Sequence, residues 1–288
     1  MKTLLFNGCS FVAGDEIAWD KYCLEKKGRL LDWRKTWADP EFKNQPAVLN
    51  DFMAYYGATY RKLHNLPMAT SLQLGLEKID ISEDGNSNDN IAISTIAYLI
   101  SKPIEERKQY HVCIGWTTPS RFLKFLKKVH NTNPDNFKNI LIDHVGTKHG
   151  QRELDVIQKY IDITFQTLTD DDLWLNYVKN IMLLENFLIS NGITYTFFKS
   201  LGSSKDVRTV GPFRPFDFVI LEDQLTNNAN WFDFGGLNLP YANEAWNSTI
   251  NHDESLWVSS SNRHPSLKAV AIFSNLLADF IRKQNVLN

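Results

Sequence analysis

Short apolar runs, each followed at once by glycine or polar residues, alternate along this chain with longer stretches of helical period. Leu4-Leu5-Phe6 reads as a short buried strand that runs straight into Gly8-Cys9-Ser10. Lys78 to Ile81 predicts a second strand, ending in the polar cluster Ser82 to Asn90. Tyr110 to Ile114 predicts a third, ended by Gly115, and Ile193 to Phe198 a fourth of strong β propensity. Between them, Val48, Leu49, Phe52, Met53, Tyr56 and Tyr60 repeat at helical spacing within Ala47 to Leu63, as do the apolar residues of Ile91 to Ile100. Trp174 to Ser190 is a long amphipathic stretch closed by Asn191-Gly192. From Ser266 to Lys283, Leu267, Val270, Ala271, Phe273, Leu276, Leu277 and Phe280 make one apolar face.

Strands alternating with helices predict an α/β protein: a mostly parallel central sheet covered on both faces, in three layers. Three stretches interrupt the alternation and read as insertions. Residues 16–46 are partly helical, and 117–151 look like a lid with a basic helix around Phe122 to Val129. Residues 199–263 are rich in loops and aromatics, with at most a short strand at Phe216 to Leu221. No repeat or linker demands a boundary, so a single domain over 1–288 is expected.

Composition narrows the partners. With 288 residues and 43% hydrophobic content the chain can bury a substantial core, and a net charge of −2 argues against nucleic acid as the ligand. No apolar run approaches a membrane span, and the N-terminus does not read as a signal peptide. The three cysteines, Cys9, Cys23 and Cys113, are odd in number and lack Cys-x-x-Cys spacing, so they read as reduced thiols of a cytoplasmic protein. His130, His144 and His149 lack the compact spacing of a metal site, and no cofactor motif is present, since Gly8 to Gly14 is neither a P-loop nor a dinucleotide fingerprint.

Ligands of such folds sit at the carboxyl ends of the strands, and Ser10, the Gly85 cluster and Gly115 all follow predicted strands. A small hydroxyl residue between Gly8 and Gly14, just past a strand, is placed as a nucleophile would be. The same turn equally suits Ser10 as a helix cap. Asp84-Gly85-Asn86-Ser87-Asn88-Asp89-Asn90 precedes a helix, where a glycine N–H and side-chain amides suit developing negative charge on oxygen. An Asx-rich capping turn is the plainer reading. His264, on the loop before the last helix, is placed to act as a general base, or is simply a surface histidine. Cys9 is a weaker nucleophile candidate, with no Cys-x5-Arg following it.

Together these blocks resemble the SGNH (GDSL-like) hydrolase family. Gly8-Cys9-Ser10-Phe11 with Gly14-Asp15-Glu16 is similar to the family's nucleophile block, with Cys in place of the usual Asp. Gly85 looks like the glycine of the second block, in a Gly-Asn-Ser-Asn-Asp-Asn-Ile stretch similar to one in uncharacterised and phage-encoded members. Gly115-Trp116-Thr117-Thr118 falls where the family has Gly-x-Asn-Asp, and His264-Pro265 matches the last block. The resemblance implies an SGNH/flavodoxin-like sandwich with Ser10 as nucleophile and His264 as base. Oxyanion donors would come from Ser10 and Gly85, helped by Asn88, Asn90 or Thr117. The implied substrate is a short acyl, acetyl-like ester, on a carbohydrate by analogy, with no cofactor. Trp116, Trp231, Tyr241 and Trp246 are equally sugar-stacking or core candidates.

Two departures set up a rival. Thr117 stands where the third-block Asn is expected, and Ser261 where an Asp would precede His264, leaving Asp253, Glu254 or a backbone carbonyl to take the place of the acid. The rival is therefore a catalytically weak or inactive SGNH fold used for binding or as a structural component, virion-associated if phage-encoded.

Overall fold

The computed structural model describes residues 2–14, 17, 21, 25, 60–83, 86–117, 119, 121–124, 138–141, 170–200, 225, 227–232, 265–284 and 286. Four parallel strands form the sheet: β1 (Thr3–Gly8), β2 (Lys78–Asp80), β3 (Tyr110–Trp116) and β6 (Thr194–Lys199), in the order β2-β1-β3-β6. The register of β1 on β3 runs from Thr3↔Tyr110 to Gly8↔Gly115, so both strands reach the same edge together. Residues 230–232 extend the sheet beyond β6: Phe197 N–H donates to Asn230 O at 2.8 Å and Phe232 N–H to Phe197 O at 2.7 Å.

Because side chains alternate along a strand, each strand feeds two cores. Leu4, Phe6, Cys113 and Phe198 face one side, under α3 (Leu66–Leu74) and α7 (Leu267–Lys283). Leu5, Val112, Ile114 and Phe197 face the other, under α4 (Asn88–Ile100) and α6 (Asp170–Ser190). The three-layer α/β sandwich expected from the sequence is thus the observed architecture. The remaining described elements are the helical turns α1 (Ser10–Ala13), α2 (Arg61–His64) and α5 (Ile104–Arg107), and the antiparallel pair β4 (Arg121–Lys124) and β5 (Lys138–Leu141). Among the described residues no helix is long and apolar enough to cross a membrane.

Several sequence expectations need correction. Gly115 lies inside β3 rather than ending it. Its missing side chain makes room for Val12, whose Cγ2 occupies the space a Cβ would take. The basic helix expected to begin near Phe122 is, over Arg121–Lys124, a strand paired with β5. Helix α3 was not foreseen, because its buried face includes Thr70 and Ser71 and shows no apolar stripe. Residues 16–46 are described only at Ile17, Lys21 and Glu25. The helix expected over Ala47 to Leu63 is described only from Tyr60, and Phe216 to Leu221 lies outside the described residues.

The direction of α7 fixes what reaches the site. Its C-terminal end is tied to the N-terminal side of the sheet, where Arg282 donates to Gln73 O and Thr196 Oγ1 donates to Gln284 Oε1 at 2.9 Å. Phe273, half-way back along it, packs on Phe198 near the end of β6, with ring centroids 5.5 Å apart. Helix α7 therefore runs antiparallel to the strands, and its first turn, capped by Ser266 accepting from Ala269 N–H at 3.4 Å, opens at the strands' carboxyl edge.

Candidate functional site

The carboxyl edge is organised around the ends of β1 and β3. The chain leaves β1 through α1 and α3 on one face and leaves β2 through α4 on the other, while β2 and β3 flank β1 on opposite sides. That reversal makes the ends of β1 and β3 the topological switch point, where open α/β sheets form their crevice.

Ser10 begins α1 two residues after Gly8, the last residue of β1. The turn is tight because Val12 N–H and Ala13 N–H both donate to Cys9 O, at 2.9 and 3.0 Å. It folds down onto the sheet because Gly8 and Gly115, paired in register, both leave room for Val12. Gly14 closes the turn with φ of +77°, a left-handed conformation suited to glycine. Cys9 is fully buried, its Sγ 3.3 Å from Ser200 Oγ, which itself donates toward Trp116 O at 2.8 Å. Cys9 is thus packed into the core beside the end of β6, turned away from a nucleophile's role.

Asn65 anchors the far end of the same turn. Its Nδ2 donates to Ala13 O at 3.3 Å and to Asp80 Oδ2 at 2.7 Å, while its Oδ1 caps α3 by accepting from Met68 N–H at 3.1 Å.

The loop after β2 returns over the end of β1. Ile81 N–H donates to Phe6 O at 3.0 Å and Glu83 N–H to Gly8 O at 3.2 Å. Asn86 Nδ2 then reaches both Gly8 O at 3.2 Å and Asn7 Oδ1 at 3.3 Å, while Asn86 Oδ1 accepts from Asn90 Nδ2 at 2.7 Å. Asn7 completes the network: its Oδ1 accepts from Gly8 N–H at 2.8 Å, and its Nδ2 lies 2.9 Å from both Ser94 Oγ and Thr95 Oγ1. Asn7 and Asn86 are both fully buried. Ser87 caps α4 through Asn90 N–H at 3.2 Å, so the capping reading of this cluster is correct as far as Ser87 goes. Asp89 accepts from Asn176 and Asn180 of α6.

Asn88 performs a different task from the one expected of an oxyanion donor. It is fully buried, its Oδ1 accepts from Thr117 N–H at 3.0 Å and its Nδ2 donates to Thr117 O at 3.3 Å. It therefore fixes the backbone just past β3 in place. Thr117 itself is buried, and its Oγ1 has no hydrogen-bond partner among the described residues.

Ser10, Asn86, Asn88 and Thr117 thus belong to one edge. Gly85, Asp253, Glu254 and His264 lie outside the described residues, as do Ser261, His130, His144, His149, Tyr241 and Trp246. Pro265 and Ser266, next to His264 in sequence, are buried at the start of α7. Trp116 and Trp231 are core residues, 0% and 5% exposed, each packed edge-on against Phe197, so neither offers a sugar platform. Trp116 is covered because β3 is an inner strand with helices over both faces. Among the described residues no group of His, Cys, Asp and Glu could hold a metal ion.

Sequence reasoning missed Asn7 and Asn65. Asn7 carried a readable signal, a polar residue inside an apolar strand next to Gly8, whereas Asn65 precedes a helix that the pattern does not reveal. No family model matches the chain, and no curated protein is significantly similar to it.

Proposed function

We propose that the chain is a serine esterase of the SGNH type, acting on a short acyl, acetyl-like ester with a carbohydrate as its alcohol part. One observation carries the reading. Ser10 follows β1 directly at the switch point, and the loop after β2 and the backbone after β3 are each hydrogen-bonded into the same edge by Asn86 and Asn88. The start of α7, which follows His264 in sequence, opens at that edge as well.

In this reading His264 removes the proton of Ser10 as its Oγ attacks the ester carbonyl. Backbone N–H groups of Ser10 and Gly85 hold the oxyanion, with the Thr117 hydroxyl as a further donor, and Asp253 or Glu254 would orient the imidazole. The tetrahedral intermediate collapses by breaking the bond to the alcohol oxygen, which takes the proton from His264. Water, deprotonated by His264, then releases the acid and restores Ser10. A reducing compartment suits the buried, unbridged Cys9 and Cys113.

The second reading, a weak or inactive form of the same fold kept for binding, is favoured by one feature: the Asn88 side chain is committed to the Thr117 backbone. Intact mass after treatment with a fluorophosphonate probe separates the two. The esterase reading expects one adduct, absent in Ser10→Ala and strongly slowed in His264→Ala. No adduct, under conditions that label a known serine esterase, overturns it.

A further inference from the structure

We propose that Asn86, acting with Asn88 and Asn90, is a positioning residue: the alternating asparagines of residues 86–90 form a clamp that locks the ends of β1 and β3 beneath the loop after β2. Its role in the reaction rests on the esterase reading, but its geometry does not.

Past Gly8 and Trp116 the strands have ended: backbone bonds from Ile81 and Glu83 still carry the start of the loop after β2 over β1, but among the described residues none joins 86–90 to either strand end. Side-chain amides take over, because an amide carries both a donor and an acceptor, as a peptide group does. Asn88 pairs with both backbone groups of Thr117, imitating a bridge between strands. Asn86 grips the carbonyl of Gly8 and the side chain of Asn7, and Asn90 holds the oxygen of Asn86 from the first turn of α4. Asn86 and Asn88 are fully buried, so water does not stand in for a lost amide. Asn86 is adjacent in sequence to Gly85, and its anchor, Gly8, lies two residues before Ser10. A shift of the clamp therefore moves the second loop relative to the serine.

The test compares the wild type with Asn86→Ala, the milder Asn90→Ala, and Asn176→Ala, which removes a polar contact to Asp89 between α4 and α6 but leaves the clamp intact. Amide hydrogen exchange is measured on each full-length protein, along with the rate and concentration dependence of fluorophosphonate labelling. We expect exchange to rise about tenfold or more in peptides covering 8–13 and 82–90, with β6 and α7 unchanged, in both clamp variants and not in Asn176→Ala. We also expect the maximal labelling rate to fall about 10²-fold while the half-saturating probe concentration stays constant, the signature of misplacement rather than lost binding. Unchanged exchange in both clamp variants, uniform loss across the sheet in Asn90→Ala, or a labelling wild type whose rate neither clamp variant alters, overturns the clamp. A wild type that takes no label while the local exchange effect appears overturns the esterase reading alone and leaves the clamp standing as a structural device of the edge.

Discussion

Val12 sits over two in-register glycines, and the packing leaves no room for a methyl group on either. A Cβ on Gly115 would meet Val12 Cγ2 and stand 2.9 Å from the Phe198 ring, and one on Gly8 would stand 2.5 Å from Val12 Cγ2. Overpacking of this kind costs about 1–3 kcal/mol, so Gly115→Ala should lower the urea midpoint with an unchanged slope. Adding Val12→Ala should recover part of the loss, making the double variant more stable than the two single effects predict. A second residue-scale effect comes from His111, fully buried in β3 between Thr194 Oγ1 and Thr196 Oγ1, each 3.0 Å from a ring nitrogen. Thr196 donates to Gln284, so it accepts from Nε2–H. Nδ1 is then the acceptor, facing a Thr194 hydroxyl that already takes a bond from the Lys2 ammonium at 2.7 Å. Burial first, and Lys2 second, push the imidazole down from 6.5 to about 3. Between those values the unfolded chain holds a proton that the folded protein refuses, so stability falls as pH drops through that window and is fully present above it. At about 1.4 kcal/mol per unit the ceiling is roughly 5 kcal/mol. Chemical denaturation from pH 7 to pH 4 should show a decline that His111→Gln flattens; equal slopes in both proteins would remove His111 as its source.

At the scale of elements, asparagine and serine side chains set where the helices begin. Asn65 holds the α1 turn, β2 and the start of α3 with one amide. Asn65→Ala should cost about 2–4 kcal/mol, combining a lost cap with unsatisfied buried groups, whereas Asn65→Ser, able to cap but not to reach Asp80, should cost about half as much. Thermal unfolding of the two variants checks this, and equal losses would mean that the cap contributes little. The same residues mark the limit of the sequence reading. Strands β1, β3 and β6 were legible as short, continuously buried runs of apolar, β-favouring residues, and helices α4, α6 and α7 by apolar positions spaced near 3.6. Helix α3 was not, since it turns Thr70 and Ser71 inward, and Arg121–Lys124 carries no alternation that separates strand from helix. At the site, Ser10 was legible from its glycines, but whether an amide faces a ligand or the protein's own backbone is decided by residues far apart in sequence. Asn88 and Thr117 are such a pair, and the hydrogen bonds of Asn7 to α4 are another.

For the whole molecule, the order β2-β1-β3-β6 confines the proposed chemistry to one end of the sheet, and this has a measurable consequence. The opposite end is tied by contacts that no ligand at the switch point touches: Arg282 to Gln73 O, Gln284 to Thr196, and Lys2 to Thr194. The phosphonyl group taken up from the probe should therefore slow amide exchange in peptides covering 8–13, 82–90 and 115–117, while peptides from 73–77, 108–111 and 278–284 exchange as in the free protein. The contrast follows from separation along the strands: β3 spans seven residues, about 20 Å at the rise of a strand, and both ends are held by independent networks. Slowing spread evenly over both ends would mean that the adduct stabilises the fold globally, without a defined crevice. Slowing at the far end alone would place the reactive serine elsewhere in the chain and remove Ser10 from the mechanism.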